Sequence, residues 1–279
     1  VPFLPAALAL DAVCQSALAD REQWVERLTA GQYVAAPLAE SAFDLEQASD
    51  GTARLTGLAA GVQSADRASH ALVWTSSGDC VALAPLDRAG VTIVARPTWD
   101  ATHRLFDLRF TGMELDGALV LARGTVAQAL VRRLVTLRDL AADAVGGANA
   151  LLDLTVEHLQ VRRQFGRPLA LFQALKHRCA DLKTLIAAAE ALLLDTLGRL
   201  GDAIADAEDE LKGKTAKYLA SSTYAKVAEE ALQLHGGIGM ASEHQCHLFL
   251  KRALLNEHLG RKDERYALDI ADSLLARLD

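Results

Sequence analysis

Several short stretches carry residue types able to do chemistry. Glu243-His244-Gln245-Cys246-His247 gathers an acid, imidazoles and a thiol, the donor types of a transition-metal site. Its spacing matches no standard zinc pattern, and one short segment rarely supplies a whole coordination sphere, so no metal is expected there. The stretch reads instead as a polar helix start capped by Ser242. Gly213-Lys214-Thr215 ends like a phosphate loop, but the glycine required five residues before Gly213 is replaced by Glu208. Gly237-Ile238-Gly239 resembles part of a dinucleotide fingerprint, yet a helical pattern precedes it where a strand is needed. Neither GxSxG nor HExxH occurs. The four cysteines, Cys14, Cys80, Cys179 and Cys246, show no CxxC spacing, which argues against a zinc ribbon or disulfide framework and for a reducing, cytoplasmic setting.

The elements that must hold these residues fall into two grammars. The chain has 279 residues, 51% hydrophobic and 23% charged, enough for one large or two modest domains. A net charge of −7 argues against a nucleic-acid binder, and no apolar run reaches membrane-spanning length. All three Trp and five of the six Pro precede residue 100, a composition shift that suggests a boundary. Residues 6–28 read as helix and residues 31–122 as mainly β. The runs ALVWTS, CVALAPL and GVTIVARP are β-rich, and LFDLRFTGMELDG alternates as a half-buried strand does. Ser49-Asp50-Gly51 and Ser77-Gly78-Asp79 supply turn signals. From Gly124 onward the period is helical, with helices expected over 126–160, 168–200, 206–234, 243–258 and 263–277. Leu169, Phe172, Leu175, Cys179, Leu182 and Ile186 form one apolar stripe, with Pro168 in the first turn.

Two segments of the helical half are distinctive. Arg162-Arg163-Gln164-Phe165-Gly166-Arg167-Pro168 runs on to Phe172-Gln173, and Leu232-Gln233-Leu234-His235-Gly236-Gly237-Ile238-Gly239 comes later in the chain. In this order they resemble the C-terminal domain of the acyl-CoA dehydrogenase family. Residues 21–40 are similar to that family's passage into its middle β domain, and 45–120 to the β domain itself. The resemblance implies an α+β fold: a remnant of an N-terminal helical domain (1–30), a middle β-barrel domain (31–122) and a C-terminal α-helical bundle (123–279). It also implies FAD. Arg162 would offer a planar fork to diphosphate oxygens, Gln164, Gln173 and Gln233 side-chain amides, and Phe165 a face for the adenosine. Gly236 and Gly237 would let backbone approach the cofactor closely. In the family these groups mostly reach the FAD of a neighbouring subunit.

The residues missing from the pattern are equally informative. The family's α-proton base is usually a Glu within Tyr-Glu-Gly-Thr, and counting forward from Gly239 puts Gly260 at that position. The minority position, on the helix before the first motif, is Thr136. Neither carries a carboxylate, so no catalytic residue is assigned. Asp139 and Asp143 share that predicted helix and read as capping, ion-pair or solvated groups. The flavin side is eroded too: Pro37-Leu38-Ala39-Glu40-Ser41 stands where the family places Ala-Leu-Thr-Glu-Pro, and near Gly61-Val62-Gln63-Ser64-Ala65 only Ser64 keeps a hydroxyl. Groups lent to a neighbour's FAD survive, and groups serving this chain's own flavin do not.

The expectation is therefore one subunit of a heteromeric, α2β2 acyl-CoA dehydrogenase, similar to the paired chains of actinobacterial steroid side-chain degradation. The partner would supply flavin pocket and base; acyl-CoA is the substrate, and electrons leave to an external acceptor. The length is short for the family, with its first N-terminal helices either absent or outside this chain. Alternatives are a self-sufficient homo-oligomer using Asp143 as a displaced base, a non-catalytic scaffold subunit, and a related flavin oxidase or monooxygenase.

Overall fold

A computed structural model describes residues 2–39, 41–47, 53–201 and 206–276. The turn expected at Ser49-Asp50-Gly51, and Glu40, lie outside the described residues. The chain forms two compact units: the described residues of Val1–Arg138 with Asp202–Asp206, and those of Asp139–Gly201 with Ala207–Asp279.

In the first unit the expected helix over 6–28 is two helices, α1 (Phe3–Cys14) and α2 (Arg21–Thr29). The break has a local cause. The buried Ser16 hydroxyl donates to the Val13 carbonyl at 2.7 Å, offering the backbone an alternative to continued helix. Trp24 of α2 is buried with the His70 ring edge-on at 5.0 Å.

The β region comprises β1 (Val34–Ala35), β2 (Ser41–Gln47), β3 (Ala53–Gln63), β4 (His70–Trp74), β5 (Cys80–Pro85), β6 (Val91–Arg96), β7 (Leu105–Leu115) and β8 (Val120–Arg123). The β region is built from two four-stranded sheets, ordered β1-β4-β5-β8 and β2-β3-β7-β6. Their facing side chains make one core: Ala71, Val73, Ala82 and Ala84 from the first sheet, Phe43, Leu55, Leu108, Phe110 and Met113 from the second. β7 alternates as its sequence predicts, with Leu108, Phe110 and Leu115 inward and Arg109 and Glu114 outward. The turn between β4 and β5 sits at Gly78 (φ +73°), in agreement with the Ser77-Gly78-Asp79 signal.

The expected helix over 126–160 is also interrupted. It divides into α3 (Gly124–Asp139) and α4 (Ala142–Val161) around Ala141, whose φ of +52° is left-handed. That conformation costs about 1 kcal/mol for a residue with a Cβ, and burial of Leu140 and Ala141 offsets it. Within the first unit, the Arg133 guanidinium of α3 grips Asp11 of α1 through two bonds of 2.8 Å.

In the second unit α4 leads into a small hairpin, β9 (Arg163–Gln164) and β10 (Arg167–Pro168), then α5 (Gln173–Leu200), α6 (Ala207–His235), α7 (Cys246–Asn256) and α8 (Asp263–Leu275). Pro168 is a hairpin residue, not a first-turn proline. Its pairing with Arg163, and a 3-10 turn over Leu169–Leu171, delay α5 to Gln173. Ser242 does not cap α7. The helix begins at Cys246, whose N–H donates to the His244 ring at 3.2 Å. The core joins α4 (Ala144, Ala148, Leu151), α5 (Leu182, Ile186), α6 (Tyr224, Val227, Ala231) and α7 (Cys246, Ala253). A polar network ties α6 to the end of α7 and the start of α8: buried Lys217 donates to the Asn256 carbonyl, and Ser221 meets both Asp263 oxygens at 2.9 and 2.7 Å.

Candidate functional site

The first distinctive segment is built on the hairpin. Arg162 leaves α4 in extended backbone, its N–H still bonded to the His158 carbonyl at 2.9 Å, while its own carbonyl accepts from Leu169 N–H at 2.9 Å. Gln164 pairs with Arg167, so Phe165 and Gly166 occupy the turn with φ of +51° and +78°. Two successive positive φ values define a type I′ turn, where glycine is favoured and phenylalanine is strained. The strain comes with an 88% exposed Phe165 ring. Phe172 holds the turn from beneath, edge-on to Phe165 at 6.1 Å and under the Arg167 guanidinium at 4.0 Å. Gln173 opens α5 beside it.

The second segment ends α6. Gln233 is exposed on its last turn, and Gly236 reverses the chain at φ +65°. A Cβ added to Gly236 or Gly237 would meet nothing within 4 Å, whereas at Gly239 it would press on His235 and Leu232. Gly239 therefore serves internal packing; Gly237 does not.

The helix ends bearing the two segments meet. His158, one turn before Arg162, stacks on His235 with ring centroids 4.5 Å apart. Burial, then His235, His244 and Arg162, hold the His158 imidazole below its ordinary pKa; burial, then His244, does the same to His235, opposed by the bond to the Ala231 carbonyl. Arg162, Gln164, Phe165, Gln173, Gln233, Gly236 and Gly237 are all exposed. No carboxylate among the described residues pairs with the Arg162 guanidinium. The arrangement is an open, cationic, glycine-floored surface with an aromatic face, suited to phosphate oxygens and a planar ring.

The base positions look different. Thr136 is buried, and its hydroxyl donates to the Arg132 carbonyl at 2.9 Å. Gly260 has φ +82°, and a Cβ there would lie 2.3 Å from the Tyr266 hydroxyl and 3.2 Å from an Asp139 carboxylate oxygen. The glycine is thus required by its surroundings, and Asp139 stands beside it. Asp143 is engaged by Arg252 at 3.2 Å and by the Asn256 side-chain amide at 3.0 Å. The two aspartates do not share the one helix expected from the sequence: Asp139 ends α3 and Asp143 lies in the first turn of α4, separated by the left-handed Ala141.

In the first unit, Ser64 adopts φ +49°, and its N–H is spent on the Arg104 carbonyl at 2.8 Å. A cavity of about 340 Å³ lies elsewhere in this unit, lined by Ser41, Trp74, Thr75, Ser76, Gln128 and Arg132. Its size is at the low end for small-molecule sites, and the sequence held no signal for it because the lining comes from separate elements.

Residues 134–275 match the family model described as acyl-CoA dehydrogenase, C-terminal domain, which is half of the chain. The chain belongs to the acyl-CoA dehydrogenase family. Among curated acyl-CoA dehydrogenases it is similar to IpdE2 of Mycobacterium tuberculosis, 46% identical over 114 residues, covering 41% of this chain and 33% of that protein. It is also similar to IpdE2 of Mycolicibacterium smegmatis, 36% identical over 162 residues, covering 58% and 46%. The matches thus span less than half of either relative's length. In fold it is similar to the ChsE4-ChsE5 complex of Mycobacterium tuberculosis (TM-score 0.85, 25% identity, 99% of this chain and 76% of that chain). Butyryl-CoA dehydrogenase of Megasphaera elsdenii shares that fold (TM-score 0.84, 22% identity, 96% and 75%). The α+β acyl-CoA dehydrogenase fold expected from the sequence is the one observed. No described helix is long and apolar enough to cross a membrane.

Proposed function

We propose that this chain is a subunit of an FAD-dependent acyl-CoA dehydrogenase that dehydrogenates the α,β-bond of an acyl-CoA thioester, and that it lends the adenosine and diphosphate half-site to a catalytic partner chain. The observation that carries this reading is an asymmetry. Arg162, Gln164, Phe165, Gln173, Gln233, Gly236 and Gly237 face outward with an uncommitted guanidinium among them, while Thr136 and Gly260 offer no carboxylate. The residues present fit the phosphate end of FAD: the guanidinium is free to accept an anion, and the open space over Gly236 and Gly237 is what close approach requires. When bound, FAD would supply the hydride-accepting chemistry. This chain's own part is to bind and orient. Arg162 neutralises diphosphate charge, the glutamine amides donate to polar edges, and Phe165 covers an apolar face and excludes water.

Exposed Val161, Leu171, Ile238 and Met240 flank these groups on the same segments, which supports a covering subunit. The similar ChsE4-ChsE5 structure is a complex, which supports a homologous partner in an α2β2 assembly, with the α-proton base on that partner. Acyl-CoA substrate, an external electron acceptor and a cytoplasmic site accompany this reading, as does the division into 1–30, 31–122 and 123–279.

The test is purification of the chain alone and with a homologous partner. The chain alone should carry no flavin and the complex should carry FAD. Arg162→Ala in the complex should weaken FAD retention roughly tenfold, the worth of one charge-assisted hydrogen bond. Flavin retained unchanged by that variant would sink the half-site.

One observation favours a second reading, a self-sufficient dehydrogenase with a displaced base. Asp139, and not Asp143, has its carboxylate beside the Gly260 position. If the chain alone turns over acyl-CoA, Asp139→Asn should abolish that turnover; undiminished turnover would remove Asp139 as the base.

A further inference from the structure

We propose that His235, His244 and Cys246 form a binding site for a single Zn²⁺-class transition-metal ion at the junction of α6 and α7. Each offers one ligand atom, and these atoms all lie within 4.8 Å of one another. The cluster joins the end of one helix to the start of another, so its members are 9 and 11 residues apart from His235 and no linear spacing rule reveals it. Tetrahedral zinc with ordinary Zn–N and Zn–S bonds sets its ligands about 3.3–3.6 Å apart, so a contraction of at most about 1.5 Å from the observed limit of 4.8 Å completes the geometry.

The rings are already prepared. His235 is only 5% exposed, and its Nδ1 lies 2.8 Å from the Ala231 carbonyl. A proton on Nδ1, which also lies 3.8 Å from Cys246 Sγ, serves that bond and leaves the Nε2 lone pair for a ligand. Nε2 is buried and has no hydrogen-bond partner. An orphaned buried polar atom is destabilising, and a carbonyl-anchored imidazole with its other nitrogen vacant is the second-sphere arrangement of metal-ligating histidines. His244 is half-buried and is fixed against the Cys246 backbone by the 3.2 Å bond. It gives the ion a way in from solvent. The Cys246 side chain is fully buried, and burial pushes its thiol up to about 11. Metal binding therefore releases the thiol proton to solvent, and the thiolate gains a cation in its place. Two nitrogens and one thiolate are donors that suit Zn²⁺ and exclude Mg²⁺ and Ca²⁺. Three protein ligands leave a fourth position open, filled by water or by a group from outside the chain. A bound ion would brace the last turn of α6, directly ahead of Gly236.

The test uses the full chain, stripped with a chelator and titrated with Zn²⁺ and, as a spectroscopic probe, Co²⁺. We expect saturable uptake of one equivalent, a rise in melting temperature with Zn²⁺, and for Co²⁺ a near-ultraviolet thiolate-to-metal charge-transfer band with tetrahedral visible bands. Mg²⁺ should produce none of these. Cys246→Ser, nearly isosteric, should lose the charge-transfer band. His244→Ala, at a half-buried position, should weaken Zn²⁺ binding at least roughly tenfold. Absence of one-equivalent uptake by the unaltered chain overturns the site, as does uptake that survives both variants unchanged. Neither result bears on FAD, because the titration needs no flavin and no partner chain.

Discussion

At the scale of single residues, Gly260 shows how a missing group becomes part of the structure. The backbone there is left-handed and the space beyond it is filled by Tyr266 and Asp139. A side chain would be strained twice, by φ and by a 2.3 Å approach to the tyrosine hydroxyl. Gly260→Ala should therefore destabilise the second unit by about 2–3 kcal/mol, seen as a lower denaturation midpoint with unchanged slope. A midpoint within error of the unaltered chain would mean that Tyr266 yields freely. Gly260→Glu should suffer at least as much, because the longer side chain meets the same two neighbours. Phe165 is the converse case: its turn is strained, and its ring, edge-on to Phe172, stays exposed.

At the scale of elements, α4 and α6 are brought together by a small residue facing a large one. A Cβ on Gly147 would lie 2.5 Å from the Tyr224 ring, which is itself buried. Gly147→Ala has no backbone strain to overcome within a helix, and its added methyl gains helix propensity of about 1 kcal/mol. Overpacking opposes it by about 1–3 kcal/mol. The net expectation is destabilisation by about 1 kcal/mol, checked by denaturant unfolding, and Tyr224→Phe should recover part of it, since the Tyr224 hydroxyl is the second contact at 2.7 Å. A stabilised Gly147→Ala chain would show that α6 can shift outward without loss. The same two helices carry His158 and His235, so their spacing also sets where the two motif segments stand.

For the whole chain, pH is the accessible lever. His158 and His235 have folded pKa values held below the ordinary 6.5, first by burial. The unfolded chain therefore binds protons more readily than the native one as pH falls, and stability is lost. Their contribution is complete above about pH 6.5 and declines through that value toward the lower folded one. Glu257 and Asp263, raised by burial, act in the opposite sense, because the native state takes up their protons first. The melting temperature of the chelator-treated chain should fall between about pH 7 and pH 6, and His158→Phe should flatten the slope. A melting temperature independent of pH across that interval would show that the histidine pair is not buried in solution.

The sequence by itself determined the family, the order of β and helical halves, and the inward face of strands such as β7. These come from periodicity and from two local motifs whose residues are close in the chain. It also marked the absence of a base at Thr136 and Gly260, because a carboxylate is either written there or not. The interruptions at Ser16 and Ala141 were illegible, since a buried hydroxyl and a buried left-handed alanine outweigh helix propensity only through tertiary packing. Pro168 misled for the same reason, its place being set by a four-residue pairing across the hairpin. The distinction between Asp139 and Asp143 needed neighbours from the far end of the chain. So did the His235, His244 and Cys246 cluster: His244 and Cys246 share one short segment, and His235 joins them only where α6 ends against the start of α7. Linear spacing encodes what one helix or hairpin can hold, and convergence of separate elements is decided by the packing that buries them.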